Sequence, residues 1–230
     1  MKLARPDVFH PRIVLAGCPQ HPAGDGDDAG LVAALRQRGL HARWLSWDDP
    51  GTREADLVIL RATDDHDGRL EEFLGWTTRV KNLLNAPNVV AWNVDAGYLG
   101  DLEGAGVPTV RTRAPGKSVA LIFFGGQQSH AFTEKHAVEP EFEFWDVGYA
   151  AIAAVAERAE IRTGELLYAR VDVTGGPAGI RVAGLDVVDP SLGWRRLDPD
   201  TRGLAQREFA LAVESACERL GLGPFSHRRP

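Results

Sequence analysis

The run Arg61-Ala-Thr-Asp-Asp-His-Asp67 places an arginine, three aspartates and a histidine directly after an apolar segment, Leu57 to Leu60. Such side chains can hold an anion or move a proton. In open α/β sheets ligands bind at the carboxyl ends of the strands, so Arg61, Asp65 and His66 read as a substrate pocket. Solvated loops have the same Asp, His and Gly composition, and composition alone leaves both readings open. Residues 17–28, GCPQHPAGDGDD, offer backbone amides ahead of a helix, as anion sites do. That loop lacks the Gly-Lys-Ser/Thr ending of a phosphate loop, and Asp25, Asp27 and Asp28 repel phosphate. Capping of the next helix by Asp27 or Asp28 is the expected role.

Other reactive residue types are sparse. Cys18 and Cys217 are the two cysteines. Cys18 follows a strand, where nucleophiles are sometimes placed, but no base stands near it, and both thiols read as buried small hydrophobes. Ser129 and His130 are neighbours in a strand, where side chains are expected to point to opposite faces, so the pair alone is no catalytic dyad. Lys135 and His136 follow beyond that strand.

The elements that must position these residues fall into two halves. RIVLA, the helical spacing of Leu31, Ala34, Leu35 and Leu40 ending at Gly39, and HARWLSW give a β-α-β unit. ADLVILRA is a third strand, apolar on both faces as in a buried parallel sheet. RLEEFLGWTTRVKNLLNA is expected as one amphipathic helix, NVVAWN as a fourth strand and DAGYLGDLEGAG as a short helix. In the second half, KSVALIFFGGQQSHAFTEK is two strands about a Gly-Gly turn. A helix, WDVGYAAIAAVAERA, comes next, followed by a second strand pair, LLYARVDVTGGPAGIRVAGLDVVDP, and a closing helix, REFALAVESACERLGLG. The expected fold is therefore α/β: a parallel α/β lobe over residues 1–110, a reduced α+β lobe over 116–225 and a tail over 226–230. The six tryptophans are expected in lobe packing, and any exposed member would mark a protein interface.

Composition narrows the function classes. A net charge of −6 gives no basic face for nucleic acid. The apolar runs are too short for a bilayer and the first residues carry no signal core, so neither nucleic acid nor membrane is an expected partner, and the cytoplasm is the default location.

With these motifs in order, the chain resembles the ATP-grasp superfamily, in particular its glutathione-synthetase-like members. DDAGLVAALRQRG, ADLVILRATDDH, FLGW and WNVDAGYLGDLEGAGVPTV are similar to the pre-ATP-grasp lobe. GKSVALIFFGGQQSHAFTEK, LLYARVDV and LDVVDPSL are similar to the large-subdomain core, so that the resemblance covers most of residues 12–192. It implies ATP and Mg²⁺ as cofactors and phosphorylation of a carboxylate, whose acyl phosphate is then displaced by an amine. It also implies Asp172, Asp186 and Asp189 as metal ligands, with Lys135 and Arg61 on anionic substrate groups.

Departures from the family pattern fall on site positions. The small subdomain that clamps ATP should follow GVPT, yet Thr109 runs almost at once into APGKSVALIFF, and several tens of residues are missing from the pattern. Lys117 stands where the family has glutamate, Ala96 where it has lysine, and Gly184 where it has one of a pair of metal-binding side chains. RATDDH replaces a pattern resembling RSTWDY and loses both aromatics. The resemblance thus implies a degenerate member of carboxylate-amine ligase ancestry, with weak or no ATP binding or a repurposed small-molecule role. Two alternatives are an active ATP- and Mg-dependent ligase completed by a partner, forming an amide-type bond, and a non-catalytic partner in a homodimer or in a heterodimer with a complete homologue.

Overall fold

A computed structural model of the chain describes residues 10–110, 118–176 and 179–223. The expected junction residues Arg111 to Lys117 and the 226–230 tail lie outside the described residues. Two compact units form, one from residues up to Pro87 together with those from Gln206 onward, the other from Asn88 to Ala205. Sequence reading had placed the division at 110–116. The difference arises because the chain returns to the first unit through its last helix and leaves it well before Val110.

The first unit is built on a parallel sheet, order β2-β1-β3-β4. Its strands are β1 (Ile13–Gly17), β2 (Ala42–Ser46), β3 (Leu57–Ala62) and β4 (Leu83–Leu84). Every residue of β1 and β3 is buried, as a sheet covered on both faces requires. Helices α1 (Leu31–Gln37) and α2 (Leu70–Thr77) follow β1 and β3. The expected capping by Asp27 or Asp28 is not what forms. Gly30 is the residue ahead of α1, at φ +94, without a side-chain cap; Asp25 accepts the Asp27 amide and Asp28 is used elsewhere.

Two other expectations are corrected. The helix expected through residue 86 ends at Thr77, where the Thr77 and Thr78 hydroxyls donate to the carbonyls of Leu74 and Gly75. Hydroxyls that bond the preceding turn compete with helix continuation, and Leu83–Leu84 pair instead with Val58–Ile59. The segment expected as a fourth strand is helix α3 (Pro87–Asn93); proline favours the first helical position, where its missing N–H costs nothing.

The second unit holds an antiparallel sheet, order β7-β6-β5-β8-β9. It comprises β5 (Val119–Phe124), β6 (Gln127–Phe132), β7 (Ala137–Val138), β8 (Tyr168–Gly176) and β9 (Gly179–Asp186). Helix α4 (Tyr98–Gly104) precedes the sheet, and α5 (Phe142–Arg158) packs on β8 and β9. Gly148 lets α5 approach closely, since a Cβ there would lie 2.8 Å from the Phe123 ring and 2.9 Å from Leu121. Because strand side chains alternate, the opposite face carries Ala120, Phe132, Arg170, Asp172 and Thr174. Helix α6 (Pro199–Arg219) closes the chain. No helix among the described residues is long and apolar enough to cross a membrane.

Trp47, Trp76, Trp145 and Trp194 are buried, and Trp44 and Trp92 are half-buried. Cys18 and Cys217 are buried and free. Burial and the charges of Glu214 and Glu218 push the Cys217 thiol up to about 11, so it is not a thiolate at neutral pH.

Candidate functional site

In the first unit the residues at and after the end of β3 make contacts within that unit. Arg61 turns inward and meets Asp28 in a two-point ion pair, Nε to Oδ2 at 2.9 Å and Nη2 to Oδ1 at 3.1 Å. Asp65 accepts the Trp47 indole N–H at 2.7 Å and Arg69 at 3.2 Å. Arg69 also binds Asp48 and Glu72 and lies over the Trp47 ring, 4.4 Å from its centroid. His66 places Nδ1 2.8 Å from the Thr63 carbonyl oxygen and its ring 5.1 Å from that of Phe73. Arg61, Asp65 and His66 are therefore each engaged with this unit's own side chains or backbone.

The second unit holds a cleft of about 470 Å³ on the sheet face opposite α5. Alternation along β8 delivers Arg170, Asp172 and Thr174 to it; Tyr98 from α4, Glu134 after β6 and Arg196 contribute to its polar lining. Arg170 donates Nε and Nη2 to Asp172 Oδ1 at 3.1 and 3.0 Å, and its guanidinium carbon lies 5.4 Å from the Phe132 ring centroid. Tyr98 Oη accepts the Leu185 N–H at 3.3 Å. Burial raises the Tyr98 pKa, and the negative charges of Asp186 and Asp172 add to that effect.

Of the three expected metal ligands, only Asp172 lines the cleft. Asp186 lies across from Arg170 in the β8–β9 register and accepts the Val188 N–H at 2.9 Å. Burial, then the Asp189 charge, pushes Asp186 up to about 6; the Val188 N–H and Arg170 oppose them. The residue facing Asp172 on β9 is Gly184, which brings no donor side chain. Among the described residues no group of three or more His, Cys, Asp or Glu is placed to hold a metal. Magnesium wants near-octahedral oxygen donors, and this donor set does not fit it. Lys135 is exposed in the β6–β7 turn and is not part of the cleft lining, whereas its neighbours Thr133 and Glu134 are.

Sequence reading missed Tyr98 and Arg170. The signal for Arg170 was its place two residues before Asp172, which puts both on one strand face.

Residues 13–85 match a family model described as the N-terminal domain of D-cycloserine synthetase DcsG. Over 100 residues the chain is 34% identical to the cycloserine biosynthesis protein DcsG of Streptomyces lavendulae; the match takes in 40% of this chain and 33% of that protein, so it spans a third of the relative's length. The crystal structure of D-cycloserine synthetase DcsG superposes with a TM-score of 0.73 at 20% identity, covering 90% of this chain and 99% of that one. The chain shares the fold of that synthetase. Similar structures include the D-alanine–D-alanine ligase of Bacillus anthracis complexed with ATP, with a TM-score of 0.61 at 11% identity covering 92% of this chain and 98% of that one. The ATP-grasp ligase PsnB complexed with its precursor peptide and AMPPNP gives a TM-score of 0.58 at 16% identity over 92% and 100% of the two chains. At these identities the structural likeness shows a shared fold, and the family match lies in the N-terminal part of the chain.

Proposed function

We propose that this chain is a reduced ATP-grasp protein that binds a small molecule in the cleft of its antiparallel unit and has weak or no affinity for Mg·ATP. The observation that carries this reading is the state of Asp172. It is the one carboxylate among the three expected ligands that reaches the cleft, and it is taken up by Arg170, while the residue facing it on β9 is Gly184. The sequence supports the same reading, because only seven residues separate Val110 from Ser118, where the family pattern has a whole subdomain. No lysine stands among the described residues lining the cleft.

The cleft's volume is within the range of small-molecule sites. Its lining mixes both charges with hydroxyls: Arg170 and Arg196, Asp172 and Glu134, Tyr98 and Ser191. That chemistry suits a compact polar ligand rather than an apolar one. The parallel unit, whose Arg61, Asp65 and His66 are engaged with its own side chains or backbone, then acts as scaffold.

Calorimetric titration of the whole chain with Mg·ATP tests the reading. The expected result is no saturable heat below millimolar nucleotide; micromolar binding overturns it.

A further inference from the structure

We infer that the cleft carries its own permanent cation, the Arg170 guanidinium, in the place where a divalent metal would have to sit against Asp172. This deepens the reading of a reduced ATP-grasp site and rests on it. Arg170 and Asp172 project from the same face of β8, and both Nε and Nη2 converge on a single oxygen, Asp172 Oδ1. The guanidinium is held from a second side by the Phe132 ring. It does not deprotonate in proteins, so its charge is present at every working pH.

The opposite strand reinforces the assignment. Gly184 faces Asp172 in the β8–β9 register, and the space beside it holds the Tyr98 hydroxyl, which would lie 3.8 Å from a Cβ at that position. A neutral hydroxyl therefore stands near the position where a second carboxylate would be needed. A divalent cation approaching Asp172 through either oxygen meets a like charge already bonded to Oδ1 of the same carboxylate, and charges this close repel strongly in a partly buried cleft. The ligand of this cleft is accordingly held without a divalent metal, by the arginine and the surrounding hydroxyls.

Gly184 offers a clean test, because its φ is not in the left-handed region. The nearest atoms to an added Cβ, Asp172 Oδ2 and Cβ at 3.7 and 3.8 Å, are at ordinary contact distance. Mn²⁺ binding to the full chain, followed by electron paramagnetic resonance, is compared in wild type, Gly184→Asp, and Gly184→Asp with Arg170→Met, each beside its Asp172→Asn counterpart. The expected outcome is no Asp172-dependent Mn²⁺ binding in wild type. The double variant should bind at least about tenfold tighter than Gly184→Asp alone, because the competing charge is gone. Arg170→Gln replaces Arg170→Met should the latter fail to fold. Asp172-dependent micromolar binding in wild type overturns the inference, as does equal affinity with and without Arg170. ATP binding that persists in a chelator would instead sink the nucleotide reading and leave this one standing.

Discussion

Arg61 and Asp28 form an ion pair with side chains only 1% and 2% exposed. It joins the end of β3 to the turn ahead of α1. Replacing one member of a buried pair leaves the other charge in a poor environment, at a cost of about 3 to 5 kcal/mol. Asp28→Asn should therefore lower the stability of the chain by about 3 kcal/mol in urea unfolding, and Asp28→Leu with Arg61→Met should recover part of that loss. A loss below about 0.5 kcal/mol for Asp28→Asn would show that the pair is not the structural tie described here.

Asp186 sets a pH dependence of a particular sign. Its folded pKa is pushed up to about 6 from 3.8, by burial first and the Asp189 charge second. Between these values the folded state holds more protons than the unfolded one, so stability falls as pH rises through the window. Asp56 contributes with the opposite sign. Burial raises its pKa, but the Arg12 amide and guanidinium and Lys81 outweigh it and hold it below 3.8, so its share is lost only as pH falls beneath that value. Asp186→Asn should flatten the urea midpoint between pH 4 and 6 and gain about 1 to 2 kcal/mol over wild type above pH 6. An unchanged profile would contradict the assignment.

The apolar run VALIFF and the glycine turns between strand pairs carried the antiparallel sheet, and the buried runs around Ile13 and Leu57 carried the parallel one. Neither depends on distant partners for its period. The errors came where a local pattern fits two states. Val89 and Val90 are β-branched and buried, and nothing in NVVAWN alone separates a strand from a helix that starts at Pro87. The polar run at the end of β3 was legible as such, but the inward turn of Arg61 depended on Asp28, 33 residues earlier. Asp172 was legible through its neighbours; its capture by Arg170 needs the geometry of a strand face, which composition does not carry.

Asn93 shows what the misread helix supplies. Its side chain donates to the Leu185 carbonyl at 3.0 Å and accepts the Val187 N–H at 2.8 Å, fastening the end of β9 to α3. Asn93→Leu keeps the volume but removes both bonds at a buried site. Unfolding should show a loss of about 2 to 3 kcal/mol, since buried backbone groups pay their full desolvation when a partner disappears. An effect no larger than that of an exposed substitution, within about 0.5 kcal/mol, would mean the two bonds contribute little.

Two glycines should respond in opposite directions to alanine. Gly193 has φ +69, and a Cβ there would fall 2.3 to 2.6 Å from atoms of the Phe132 ring. That ring lies under Arg170 and stacks with His130, so it has little room to yield. Gly193→Ala should cost about 2 kcal/mol or more and alter the near-ultraviolet dichroism of the neighbouring Trp194. Gly203, exposed in α6, has nothing within 4 Å of an added Cβ. There alanine improves helix propensity without strain, and Gly203→Ala should stabilise by up to about 1 kcal/mol. Equal responses at the two positions would mean that the close approach of Gly193 to Phe132 does not constrain the cleft.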